Sequence, residues 1–179
     1  EVLTLVRTYT GTTYYKDKDG RCWRIYDFVT DSVCIERIEE FCNVMNYAQP
    51  ILAAEGIRLA FHNHHGEFEV RPWGSTIHSE LERKTDIDFE IDTFWAFRAG
   101  TDPVAVLDRL KNRVRVIHIK DGFADGRGMP LGMGEAPLKC VIDYATEKGM
   151  TMVVESETLT PSGLEEAEIC INYLKNLEK

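Results

Sequence analysis

Four residues of metal-ligating type close four short β-like runs. His62 lies in LAFHNH (59–64), Asp92 ends DFEID (88–92), His118 ends VRVIH (114–118), and Glu155 ends MVVE (152–155). Two imidazoles and two carboxylates make a mixed nitrogen/oxygen set suited to a divalent ion such as Mn, Co, Zn or Mg. Positions 62, 92, 118 and 155 are separated by 30, 26 and 37 residues, each about one βα unit. A single strand-end His or Asp more often caps a helix or bonds to backbone. Four of them on successive units need a common explanation, and side-chain alternation supplies the test. Asp92 shares a face with Glu90 and Asp88, His118 with Val114, Val116 and Lys120, Glu155 with Val153 and Thr151, and His62 with His64 and Ala60. Polar groups therefore gather at the C-terminal end of one face of every strand, where parallel α/β folds build their sites.

Around this set, Lys120 is placed to stabilise negative charge developing on a substrate oxygen, or to pair with Asp92 or Glu155. His64 is a further catalytic candidate, with hydrogen bonding to a ligand as its expected role. Trp95, Phe94 and Trp73 are candidates to wall a sugar-sized pocket or to pack in the core. His78, in a polar helix, is expected at the surface. The glycine-rich 126–134 (GRGMPLGMG) is not a phosphate loop, because it lacks the G-x-x-x-x-G-K-[ST] spacing.

The elements that must position these groups read as alternating strands and helices. Residues 2–8 form an apolar, β-branched run expected as a buried strand, followed by a polar loop over 10–26. A helix over 31–55 is capped by Asp31 or Ser32, carries the stripe Val33, Ile35, Ile38, Phe41, Cys42, Met45 and Ala48, meets Pro50 as a bend or restart, and stops at Gly56. Strands at 57–64, 86–92, 114–120 and 151–155 follow. Between and after them come a short arm at 67–71 and helices at 75–83, 102–110 (Asp102 cap, Pro103 first), 138–148 and 164–177. About five parallel strands alternating with helices define an α/β fold with a mainly parallel sheet. No linker composition divides the chain.

The 179 residues include 44% hydrophobic and 28% charged, with a formal net charge of −9. That acidity argues against a phosphate-backbone footprint and hence against nucleic acid as a partner. Five cysteines without CxxC spacing read as reduced thiols of a cytoplasmic protein. No run approaches a membrane span. The first residue is Glu1, which implies a segment upstream.

At these residues the chain resembles the xylose isomerase-like superfamily of sugar isomerases and epimerases. The matching segments are Gly56-Ile57 leading to Phe61-His62-Asn63-His64, Asp92-Thr93-Phe94-Trp95 with Ala99-Gly100-Thr101-Asp102-Pro103, His118-Ile119-Lys120-Asp121, Leu131-Gly132-Met133-Gly134 and Val153-Val154-Glu155. They run in family order across 43–177. The resemblance implies one domain over 1–179, a partial TIM-type (β/α) barrel comprising strands four to eight. It implies one divalent ion held by His62, Asp92, His118 and Glu155, and metal-dependent isomerase or epimerase chemistry on a small sugar or cyclitol. Many members carry Glu where this chain has His62, and there two metal-bound Glu residues share the acid/base work. With Glu155 alone in that role, an inosose dehydratase-like lyase is the runner-up, and a non-catalytic truncated barrel is the third reading. An endonuclease IV-like DNA repair activity does not fit the charge or the five histidines. A complete barrel has eight strands and about 250 residues, so open sheet edges are expected to drive homo-oligomerisation.

Overall fold

A computed structural model of the chain describes residues 35–156, 158–159 and 161–177 in full, and the backbone of three strands before them. Contacts divide the chain into two compact units, 1–59 with 70–86 and 60–69 with 87–179. In the first unit, β1 (Thr4–Arg7), β2 (Thr13–Lys16) and β3 (Cys22–Ile25) form an antiparallel sheet in the order β1-β2-β3. The expected fifth parallel strand at 2–8 thus belongs to a meander, and the expected loop at 10–26 contains its other two strands. A β-branched run specifies an extended backbone but not its partner, which explains the difference.

Helix α1 (Ile35–Ala54) runs through Pro50 and buries Ile38, Cys42, Met45 and Ala48. Gly56 follows at φ +74 with its N–H on Ala53 O. The expected caps Asp31 and Ser32 lie outside the described residues. Helix α2 (Ile77–Lys84) is capped by Thr76, whose hydroxyl accepts from Ser79 N–H at 3.0 Å. Asn46 and Gln49 of α1 donate to the backbone oxygens of Lys84 and Asp86, each at 2.8 Å. His78, expected at the surface, is fully buried, with Nδ1 2.7 Å from Glu82 Oε1. The polar helix sequence concealed this, because burial depends on what packs over the helix.

The second unit carries the parallel sheet. β4 (Ala60–His62), β5 (Asp88–Asp92), β6 (Val114–Ile119) and β9 (Met152–Val154) pair in the order β4-β5-β6-β9, all parallel. The α/β class and parallel alternation are as expected; among the described residues the parallel sheet has four strands and is not a closed barrel. A 3-10 turn (His65–Phe68) follows β4; α3 (Thr93–Arg98) and α4 (Pro103–Leu110) separate β5 from β6. The hairpin β7 (Asp121–Gly122) and β8 (Gly128–Met129), then α5 (Leu138–Glu147), precede β9, and α6 (Gly163–Leu177) follows it. The sheet's outer face is the apolar core: Ile87, Phe89, Ile91 and Ile117 are wholly buried. The alternate residues face the other way and form the site. Arg115 reaches Asp88 with both Nε (2.7 Å) and Nη2 (2.9 Å), tying β6 to β5 at the opposite end. Among the described residues no helix is long and apolar enough to cross a membrane.

The glycine-rich segment folds around a carboxylate. Asp121 is buried, and its oxygens accept from Gly122 N (2.8 Å), Gly132 N (2.9 Å), Gly134 N (2.9 Å) and Ala136 N (3.2 Å). These bonds pin the loop beside the end of β6. A Cβ at Gly134 would collide with Asp121 Oδ1 and Gly122 N, and would meet Gly122 O at 2.6 Å. Two of those three atoms are backbone and cannot rotate away. Gly134→Ala is therefore expected to destabilise the protein by about 1–3 kcal/mol, as overpacking does. A urea unfolding midpoint equal to that of the wild type would contradict this reading of the loop.

Candidate metal centre

Strand register brings the site together. In the parallel ladders His62 pairs with Glu90 and Asp92 with His118, while His118 pairs with Val153, two residues before Glu155. Glu155 N–H continues the ladder past β9 by donating to Ile119 O at 3.1 Å. His62, Asp92, His118 and Glu155 consequently each present one ligand atom, all within 4.8 Å of one another. The sequence named all four and placed them on one face. His118 Nδ1 is 2.5 Å from Glu155 Oε2, and the His62 and His118 ring centroids are 4.8 Å apart.

Two side chains lock Asp92 and His118 in place. Asn63, fully buried, donates from Nδ2 to Asp92 O and accepts at Oδ1 from Asp92 N–H, both at 3.1 Å. Its amide thereby copies one step of a β-ladder beyond the end of β4. Thr93 Oγ1 donates to His118 O at 2.9 Å. Asp92 itself starts α3, where Oδ1 accepts from Trp95 N–H at 2.9 Å. Asp92 thus combines helix capping, through Oδ1, with a place in the cluster. The short helix α3 was not expected from the sequence, since it begins directly at the strand end without an apolar period of its own.

The electrostatics are those of a crowded acidic pair. Burial pushes the Asp92 carboxyl up to about 7; the Trp95 N–H and the Lys120 charge oppose this, and the nearby Glu155 adds to it. Glu155 lies below the usual carboxylate range. Its partial burial acts to raise it, but the His118 hydrogen bond and the Lys120 and His118 charges prevail. Burial, then the charges of His64 and His118, lower the His62 imidazole against the pull of Glu90 and Glu155, favouring the neutral ring that metal ligation needs.

The donor set fits a divalent ion. Asp92 is wholly buried, and its Oδ2 has no hydrogen-bond donor, a costly state for a carboxylate oxygen. Beside it stand a second carboxylate and two imidazoles, an arrangement a cation would satisfy.

Lys120 is nearly fully buried, with Nζ 4.5 Å from the Trp95 ring centroid and 5.7 Å from that of Phe94. Phe94 is wholly buried and Trp95 partly so. Trp73 belongs to the first unit. His64 is exposed; its ring meets His62 edge-on at 5.0 Å and Trp95 at 5.6 Å, while its backbone N–H donates to the buried Glu67 at 2.8 Å. The sequence reading overlooked Glu90, whose Oε1 is 3.2 Å from His62 Nδ1 and 3.1 Å from His118 Nε2. Its signal was present, since it shares a strand face with Asp92. Asn63 carries no such signal beyond its place in the segment Phe61-His62-Asn63-His64.

Parallel strands with ligands at their C-terminal ends and helices between define an α/β protein of TIM-barrel type with a metal-ligand cluster. The chain belongs to the xylose isomerase-like TIM barrel family, whose sequence pattern matches residues 14–177. Two sugar phosphate isomerase/epimerase structures from Parabacteroides distasonis ATCC 8503 are similar to it. One has 26% identity and a TM-score of 0.67, covering 78% of this chain and 52% of that one. The other has 23% identity and a TM-score of 0.68, covering 82% and 54%. A probable 3-DHS dehydratase involved in petrobactin synthesis from Bacillus anthracis shares the fold at 15% identity and TM-score 0.63, over 79% and 58%. The chain thus spans between 52% and 58% of the length of these structures. No curated protein matches it significantly.

Replacing Asn63 by Ala removes both partners of the Asp92 backbone in a buried setting. The expected loss is about 1–3 kcal/mol, together with faster hydrogen exchange at the Asp92 amide. Unchanged exchange at that amide would show that Asn63 does not hold the ligand strand.

Proposed function

We propose that the chain is a divalent-metal-dependent sugar isomerase or epimerase, which removes a proton from the carbon next to a carbonyl of a sugar or sugar derivative. The observation that carries this is the convergence of His62, Asp92, His118 and Glu155 within 4.8 Å, in a chain of the xylose isomerase-like family. These four residues would hold the ion. A bound Mn, Co, Zn or Mg ion polarises the substrate carbonyl and acidifies the neighbouring C–H. Glu155, held ionised by His118 and Lys120, takes that proton and returns it to the adjacent carbon, giving isomerisation. Lys120 brings positive charge to the oxygen of the developing enediolate. Its low exposure and aromatic surroundings strengthen that charge by excluding water. His64 touches His62 only edge-on, so its proposed task faces the substrate, hydrogen bonding to a hydroxyl. The name of the 26% identical relative, a sugar phosphate isomerase/epimerase, supports the same class.

A dehydratase is the second reading, favoured by His62. Where many members of the family have Glu, this chain has imidazole, and one acid/base carboxylate suffices to take the α-proton and deliver a proton to a departing β-hydroxyl. A reducing, cytoplasm-like setting belongs to the same proposal and is supported by the free thiols of Cys42, Cys140 and Cys170. Homo-oligomerisation does too: among the described residues β4 and β9 are the outer strands of the sheet, and unpaired edges favour association. Light scattering should show a species larger than one chain, and a monodisperse monomer would exclude it.

Glu155→Gln is the decisive substitution. It should abolish solvent deuterium incorporation into ketose or inosose substrates while leaving the circular dichroism spectrum unchanged. Exchange persisting at the wild-type rate would remove Glu155 from the acid/base role.

A further inference from the structure

We propose that Trp95 is a positioning residue for Lys120, its indole face holding the buried ammonium in place without neutralising it. The inference rests on the charge-stabilising role proposed above for Lys120. Lys120 is 2% exposed, and an ammonium so far from water needs compensation from its surroundings. Nζ stands over the Trp95 ring, 4.5 Å from its centroid, and over the Phe94 ring at 5.7 Å. Both distances fall inside the roughly 6 Å over which a ring face attracts a cation, and tryptophan attracts most strongly. A carboxylate would hold the ammonium by cancelling its charge. A ring face holds it and leaves the charge available to a substrate oxygen.

The rings are themselves fixed. Phe94 and Trp95 are neighbours on α3, with centroids 5.1 Å apart. One helical turn on, the Arg98 guanidinium lies 5.2 Å from the Trp95 centroid, and its Nη1 donates to His65 Nδ1 at 2.6 Å. The His65 ring is in turn 5.6 Å from that of Trp95. Gly122, two residues beyond Lys120, makes room for Phe94: a Cβ there would lie 2.8 Å from Phe94 Cε2 and Cζ. The strand end that supplies Lys120 and the helix that supplies the rings are therefore fitted to one another. Trp95 serves two members of the site by separate means. Its backbone N–H donates to Asp92 Oδ1, and its side chain holds Lys120. A substitution at this position removes the ring and keeps the backbone hydrogen bond.

The test reads Lys120 by NMR of the lysine-labelled chain, together with solvent deuterium incorporation into a ketose or inosose. Protons above an indole face are moved upfield by its ring current. The Lys120 methylene next to Nζ should therefore resonate upfield of that of the exposed Lys139. Trp95→Leu should abolish that shift and slow deuterium incorporation about 10- to 100-fold, as a small displacement of a catalytic group does. Trp95→Phe keeps an aromatic face, so it should recover part of both, and it decides the matter if the leucine variant does not fold. On a Lys120→Met background Trp95→Leu should cost less than about twofold more, because nothing is left for the ring to position. A wild-type Lys120 signal at the Lys139 position, or losses that multiply in full in the double variant, would overturn the assignment. Wild-type protein that exchanges neither substrate would overturn the proposed activity, and the Lys120 shift in wild type and variants would then decide the positioning by itself.

Discussion

Two carboxylates held together without a donor between them set the terms for the rest of the structure. Asp92 is buried at the end of β5; one oxygen accepts from the α3 backbone, the other has no hydrogen-bond partner, and the Glu155 carboxyl belongs to the same cluster. Like charges so placed require a shared proton or a cation. The elevated Asp92 carboxyl and depressed Glu155 lie in the direction of the proton solution. A divalent ion is the other solution, and the two flanking imidazoles are the neutral ligands it would recruit.

Holding such a pair in place takes more than sheet hydrogen bonds, and three cross-links supply it. Asn63 extends the β4–β5 ladder by one side-chain step, Thr93 ties the start of α3 to His118, and the Glu155 amide bonds Ile119. The strand ends therefore behave as one rigid frame rather than four independent loops. Behind them the Asp121 carboxylate gathers the glycine-rich loop against the end of β6. Glu90 completes the frame from within by touching both histidines.

Much of this was legible in the sequence because strand alternation is local and strict. Parity placed His62, Asp92, His118 and Glu155 on one face, and register then brought their ends together, as the ladder pairs Asp92–His118 and His62–Glu90 record. What the sequence could not express was pairing beyond each strand. Residues 2–8 have the composition of a parallel core strand, yet Thr4–Arg7 within them pairs in an antiparallel meander. His78 sits in a charged helix yet is fully buried, because the cover comes from elsewhere in the chain. Glu90 was visible by parity, but its contact with two rings depends on where β4 and β6 fall beside it. The glycine-rich loop displayed its glycines without the Asp121 carboxylate around which they close.

X-ray absorption at the metal edge of the stoichiometrically loaded protein probes the proposed centre most directly. A first shell of nitrogen and oxygen only, with the outer-shell scattering of two imidazoles, is the result required by His62, Asp92, His118 and Glu155 as ligands. A sulfur scatterer, or fewer than two imidazoles, would contradict that ligand set.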